Sequence, residues 1–353
     1  MQSCSSYPFL IPLFIPHKGC RHQCAFCNQV AITGNSATLP ESHVIENEIR
    51  RFLNYRRAHH SMVQIAFYGG NFLGLDTDDI RRLLKTAARF VHSGMANSIR
   101  FSTRPDTIDQ ERLSLIRDYP VSTIEIGAQS MDDRVLEKSA RGHRAQDSIH
   151  AVQLLKEFSY EIGVQMMIGL PGDSEETALA TGHRIASLSP DFVRIYPTLV
   201  IDRSPLAHAF KRGSYRPLSL DESVQWTKRL YLHFQNHHIR VIRMGLQADA
   251  SLEKEGAIIA GPYHPAFGQM VHSAIFLENA IEMIEENKLY TQGDPLAIYV
   301  HPSQISTMRG QKNANVKTLF KRFGAHVRVI PDPTLERDQL RITDCSRNEK
   351  LSP

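Results

Sequence analysis

YPFLIPLFIPHKGCRHQCAFC, residues 7–27, opens on an apolar run and closes on three cysteines, Cys20, Cys24 and Cys27. The run Phe9–Ile15 is too continuously apolar for a half-exposed strand and reads as a buried one, so the cysteines stand on the loop that follows it. The pattern repeats along the chain. Apolar runs are expected as strands at Phe9–Ile15, Val63–Tyr68, Ser98–Ser102, Thr123–Ile126, Ile162–Ile168, Phe192–Tyr196 and Ile239–Arg243. Amphipathic stretches between them predict helices at Val44–His59, Thr77–His92, Asp109–Arg117, Ala145–Phe158, Ser174–Ser187 and Asp221–His237. Strand then helix, repeated about six times, predicts an α/β fold with a parallel sheet and right-handed crossovers. We expect a (β/α)6-type partial TIM barrel over residues 1–265, with its chemistry on the loops after the strands.

The odd residues fall on those loops. Gly69-Gly70-Asn71 follows the second run, Ser102-Thr103-Arg104-Pro105 the third and Gln129-Ser130 the fourth. Gly169-Leu170-Pro171-Gly172 follows the fifth. Any βα connection needs turn residues, but so many breaks on one rim, with cysteines among them, point to one shared site.

Composition is ordinary for a globular protein: 353 residues, 42% hydrophobic, 22% charged and a net charge of +4. That length holds one domain of roughly 200–250 residues and a smaller one. No apolar stretch of about 18 residues is present, so no membrane span is expected. The run Tyr7–Pro16 carries three prolines and no basic leader, and does not read as a signal peptide. Only Cys4 and Cys345 join the clustered cysteines, too few for a disulfide framework. A cytoplasmic protein is expected.

The spacing C-x3-C-x2-C lets three thiolates hold three irons of a [4Fe–4S] cube and leave the fourth iron open. Zinc is the alternative, with His17 or His22 completing a tetrahedron. That reading makes the chain an RNA-binding protein with a structural metal site. The second cysteine pair usual in zinc motifs is missing.

The motif, with Phe26 before its last cysteine, resembles that of the radical S-adenosylmethionine (SAM) enzymes. The resemblance implies a [4Fe–4S] cluster on Cys20, Cys24 and Cys27 and SAM as cofactor, cleaved to a 5′-deoxyadenosyl radical. It also implies an electron donor such as flavodoxin or ferredoxin. Gly69-Gly70-Asn71 occupies the place of the family's Gly-Gly-Glu motif, which meets the methionine amino group mainly through backbone; Asn71 is a departure. Phe26 would lie by the adenine. Gln129 resembles a ribose contact, and Arg141 an arginine that pairs with the methionine carboxylate. Ser102 and Gln165 stand where related enzymes have acidic residues. No residue is assigned a catalytic role.

Residues 60–245 carry a narrower resemblance. FYGGNF, STRPD, IEIGAQSMDDRVLEKSARGH, QMMIGLPG and RIYPTLVIDRSPL look like the radical domain of the Elongator catalytic-subunit family. This implies RNA, specifically tRNA, as substrate. The residues after 265 are too few for that family's acetyltransferase domain, so the resemblance implies the radical chemistry and not the carboxymethyl product. Oxygen-independent coproporphyrinogen oxidases share the Gly-Gly and Gln-Ser motifs and make a porphyrin enzyme the alternative.

Residues 266–345 break the pattern and predict a small basic α/β domain, with residues 346–353 as a disordered tail. A helix is expected at Val271–Asn287, strands at Leu296–Val300 and Ala325–Ile330, and helices at Ser303–Arg309 and Ala314–Phe323. From Ala297 to Pro331 six basic residues and no acidic one occur, exceeding the net charge of the whole chain. The β-α-turn-α-β order resembles the core of a KH domain, whose G-x-x-G loop clamps single-stranded nucleic acid. Gly310, Gln311, Lys312 and Asn313 would form that loop, and Lys317 would follow it. The other reading is a basic appendage with a solvated face.

Overall fold

The computed structural model describes residues 8–28, 38–56, 62–246, 256–287 and 295–344. Cys4, Cys345 and the 346–353 tail lie outside them. The chain divides into two compact units, Met1–Ser223 with Leu230–Tyr263, and Val224–Arg229 with His264–Pro353.

The first unit is built on β1 (Phe9–Phe14), β2 (Val63–Tyr68), β3 (Ser98–Thr103), β4 (Val121–Gln129), β5 (Glu161–Ile168) and β6 (Phe192–Pro197). After a two-residue strand, β7 (Val200–Ile201), comes β8 (Arg240–Met244), and β7 pairs antiparallel with β9 (Ile258–Ala260). The main sheet runs β1-β2-β3-β4-β5-β6-β8, each neighbouring pair parallel. It is an open parallel half-barrel, as the alternation of elements predicts.

Helices cover its outer face. Thr77–His92 forms where expected, burying Ile80, Leu83, Leu84, Ala87 and Phe90, with Asp78 and Asp79 in its first turn facing the positive end of the helix dipole. Glu175–Ser187 is capped by Ser174, which exchanges hydrogen bonds with Thr177. The helix expected at Val44–His59 spans only Ser42–Leu53. Its buried stripe is Ile45 and Ile49, and past Leu53 the chain turns polar and charged, so nothing remains for a longer helix to bury. The strand expected at Thr123–Ile126 runs on to Gln129 through an irregularity between Gly127 and Gln129.

The second unit holds a three-stranded sheet. Central β10 (Leu296–Val300) lies parallel to β11 (Val327–Pro331) and antiparallel to β12 (Leu340–Asp344). Helices Phe267–Glu286, Ile305–Arg309 and Ala314–Phe323 accompany it. Phe276, Ile284, Ile298, Val300, Met308 and Leu319 form its core. Strand β12 was not expected from the sequence, because its alternation, Leu340 and Ile342 against Arg341 and Thr343, extends over only four residues among polar neighbours.

Candidate functional site

The C-terminal ends of the half-barrel strands open into a cavity of about 1030 Å³. Cys20, Cys24, Cys27, Phe26, Gly69, Gly70, Asn71, Ser102, Gln129, Arg141 and Gln165 all line it. Residues picked from six separate loops and strand ends are thus brought to one chamber.

The cysteine loop is held at several points. Ala25 N donates to Ser139 O at 2.9 Å, and Leu206 N donates to Ala25 O at 2.8 Å. Phe26 packs against Val200, Leu206 and Ala207. Arg141 sits over the Phe26 ring at 6.0 Å, donates from Nη1 to Cys24 Sγ at 3.0 Å and from Nη2 to Gly127 O at 2.6 Å. Gly127 leaves room for the neighbouring Gln129 amide, since a Cβ there would come within 2.9 Å of Gln129 Nε2. Gln165 Nε2 in turn donates to Gln129 Oε1 at 3.3 Å.

Asn71 is buried, and both ends of its amide are engaged. Nδ2 donates to Gly19 O at 2.9 Å, while Oδ1 accepts from Thr103 Oγ1 at 2.7 Å, Arg104 N at 2.9 Å and Thr107 Oγ1 at 3.0 Å. It ties the residue before Cys20 to the end of β3. Where the family motif has an acid, this chain has a structural clamp. A carboxylate could accept from the same donors but could not donate to Gly19 O. The backbone of Gly69-Gly70 still faces the cavity, and Gly69 needs its φ of +98° because a Cβ would lie 2.8 Å from Ile15 O.

Cys20, Cys24 and Cys27 form no disulfide. Among the described residues no group of three His, Cys, Asp or Glu is closed to metal-holding separation. The donor set nevertheless fits an iron–sulfur cluster. Burial, then the Cys24 charge, raises the Cys20 thiol against Arg104 and Arg141. Cys27 is pushed up to about 12 by burial, then by Cys24 and Cys20, with Arg141 opposing. Such thiols ionise when a bound cation offsets the penalty. His22, one of the two candidate fourth zinc ligands, is exposed and packs over Gly142, whose Cβ would meet its ring at 2.5 Å. The cavity also fits a zwitterionic cofactor. Arg141 Nε and Arg104 Nη1 are buried donors that find no acceptor among the described residues.

Sequence reasoning missed a polar layer below the rim. Glu125 on β4 is buried between two guanidiniums, Arg100 Nη2 at 2.8 Å and Arg194 Nε at 2.6 Å. Tyr68 Oη donates to Glu125 Oε1 at 2.8 Å, and Arg194 Nη1 donates to Tyr196 Oη at 3.3 Å. Arg100 Nη1 donates to Gln64 Oε1 at 3.0 Å. Burial and then Glu125 raise the Tyr68 phenol, keeping it a donor. The available signal was one charge near the centre of each of three otherwise uncharged strands: Arg100 in SIRFST, Glu125 in STIEIG and Arg194 in FVRIYP.

In the second unit, Gly310 and Asn313 bound the turn between two short helices, with φ of +70° and +59°. Asn315 pins it by donating to Ser273 O at 2.8 Å. A pocket of about 420 Å³ lies beside it, lined by Arg309, Gly310, Lys312, Asn313 and residues of the preceding helix. Gln311, Lys312 and Lys317 are exposed. Arg322 is not a free cation, since it bridges Glu285 at 2.6 Å.

The chain matches the radical SAM superfamily over residues 14–185 and the radical SAM C-terminal domain over residues 190–276. It is 30% identical over 155 residues to a tRNA uridine(34) acetyltransferase of Methanocaldococcus jannaschii, covering 43% of this chain and 28% of that protein. It is 24% identical over 207 residues to the heme chaperone HemW of Lactococcus lactis, covering 58% and 53%. The chain thus spans about half or less of the length of these curated relatives. The archaeal Methanocaldococcus infernus Elp3 with an N-terminus deletion shares the fold, with a TM-score of 0.56 at 17% identity over 96% of this chain and 75% of that one. No helix among the described residues is long and apolar enough to cross a membrane.

Proposed function

The chain belongs to the radical SAM superfamily, whose enzymes use a [4Fe–4S] cluster and SAM, and we propose that its own reaction is the modification of RNA, with tRNA as the substrate. When bound, the cluster and SAM supply reductive formation of a 5′-deoxyadenosyl radical. A flavodoxin or ferredoxin fits the need for a one-electron donor.

The chain's residues divide the remaining work. Cys20, Cys24 and Cys27 hold the cluster, and Asn71 fixes the start of their loop. Arg141 pairs with the methionine carboxylate, for which a planar fork is suited. The Gly69-Gly70 backbone would receive the amino group, Phe26 would lie at the adenine and Gln129 at the ribose. Ser102 and Gln165 border the same volume. The enclosing cavity excludes water from the reacting centre, the protein's share in a cofactor-driven reaction.

The observation that carries this reading is the convergence of all these residues on one cavity, with Arg141 resting on Cys24. RNA as substrate rests on the tRNA uridine(34) acetyltransferase likeness and on the exposed basic turn at Gly310–Asn313 with Lys317 beyond it. Incubating the reduced enzyme and SAM with deuterated tRNA tests it. Deuterium is expected in 5′-deoxyadenosine. Transfer from a deuterated porphyrinogen, with none from RNA, would replace this reading with the coproporphyrinogen oxidase-like one.

A further inference from the structure

We propose that Arg194 and Arg243 form a subsite in the half-barrel lumen for an anionic oxygen group of the substrate, a phosphate or a carboxylate. The interior of a closed eight-stranded barrel is packed with branched apolar side chains, whereas this half-barrel is open and lined by charges. Here the middle layer carries Arg100, Glu125 and Arg194, all buried, so one carboxylate faces two guanidiniums and a positive charge is left over. Arg243 adds a second. It stands beside Arg194 in the register of β6 and β8, lines the same cavity, and has no carboxylate partner among the described residues.

The arrangement differs from a self-contained polar plug. A closed ion-pair network neutralises itself, because uncompensated buried charge is costly. Arg100 is committed to Glu125 and Gln64 and is nearly inaccessible, with 4% of its side chain exposed. Both guanidiniums line the cavity, and Arg194, at 11%, is the more exposed: Glu125 and Tyr68 engage its Nε and Nη2, while its Nη1 meets the Oη of Tyr196, which lines the same cavity. Arg194 and Arg243 therefore present like charges side by side at a cavity wall, an arrangement that an anion relieves. The cofactor's own carboxylate has Arg141, at the cysteine loop, for a partner. The cavity, about 1030 Å³, lies at the upper end of the size range of ligand pockets.

This inference rests on the RNA reading only for the identity of the anion: there it is the backbone phosphate next to a nucleoside inserted into the lumen. The test is calorimetric titration of the iron-loaded enzyme, oxygen-free, with uridine 3′-monophosphate, uridine, glutarate and SAM. The parent is expected to bind the monophosphate about tenfold or more tighter than uridine, as a charge-assisted pair implies. Arg243→Gln, which breaks no ion pair among the described residues, is expected to abolish that difference and leave SAM binding unchanged. Arg194→Lys, which keeps the charge, is expected to retain most of it. Equal affinity for uridine and its monophosphate in the parent, with no glutarate binding, would overturn the subsite. A loss of SAM affinity in Arg243→Gln as large as the loss for the monophosphate would overturn it too, by assigning the guanidinium to the cofactor. Glutarate binding that depends on Arg243, with neither uridine ligand bound, would support the subsite and sink the RNA reading.

Discussion

Arg141 Nη1 lies 3.0 Å from Cys24 Sγ, across 117 residues of sequence, and the same guanidinium holds Gly127 O. The cysteine loop after β1 and the end of β4 thus meet at one side chain, where the cofactor's carboxylate is proposed to bind. Arg141→Ala should raise the SAM concentration required for cleavage by about an order of magnitude, because a charge-assisted fork is roughly twice as strong as a neutral hydrogen bond. Titrating SAM in the cleavage assay checks this. An unchanged requirement would assign the carboxylate to another arginine.

Asn71→Ala leaves the Gly19 carbonyl, Thr103 and the Arg104 amide without their buried partner. Unfolding in urea should show a loss of about 3 kcal/mol. Asn71→Asp keeps the acceptor and loses the donor to Gly19 O, and should fall between the parent and the alanine variant. A loss below about 0.5 kcal/mol for Asn71→Ala would show that the loop is held without it.

What could be read from the sequence follows from how local each signal is. Thr77–His92 and Val63–Tyr68 formed as expected because their apolar periodicity and flanking breaks lie within one window. The rim was legible because turn residues mark the end of every strand. The clamp at Asn71 was not, since its partners Gly19, Thr103 and Thr107 come from segments 32 to 52 residues away. The sequence showed only that an acid was absent. Glu125 was overlooked because a single charge in STIEIG carries no periodic signal. Its meaning appears only when β3, β4 and β6 bring Arg100 and Arg194 alongside.

His143 is buried behind the same rim. Burial, then the charges of Arg141 and Arg104, pushes its pKa down to about 3. An unfolded histidine titrates near 6.5, so the unfolded chain takes up this proton first. The stability linked to His143 is complete above pH 6.5 and is lost as pH falls from there towards 3, at up to about 1.4 kcal/mol per pH unit. Between pH 7 and pH 5 the parent should lose about 2 kcal/mol more than His143→Gln, measured by chemical denaturation. Equal losses would mean that His143 is protonated in the folded protein.

Lys312 and Lys317 are exposed at and just beyond the Gly310–Asn313 turn. If they neutralise phosphates of a single strand, each adds about 0.7 to the log–log salt slope of binding. Replacing both by Glu should weaken tRNA binding and flatten that slope by roughly one to two units. Iron content and uncoupled SAM cleavage should stay at parental values. Unchanged affinity and slope would make this face a solvated surface.

The identity of the group proposed to sit on Cys20, Cys24 and Cys27 is the central question. Protein purified without oxygen should be brown and carry about four irons per chain with matching sulfide. It should cleave SAM on reduction, and Cys24→Ala should lose both colour and cleavage. A colourless protein with one zinc per chain, unable to cleave SAM after iron and sulfide are supplied, would contradict an iron–sulfur cluster there.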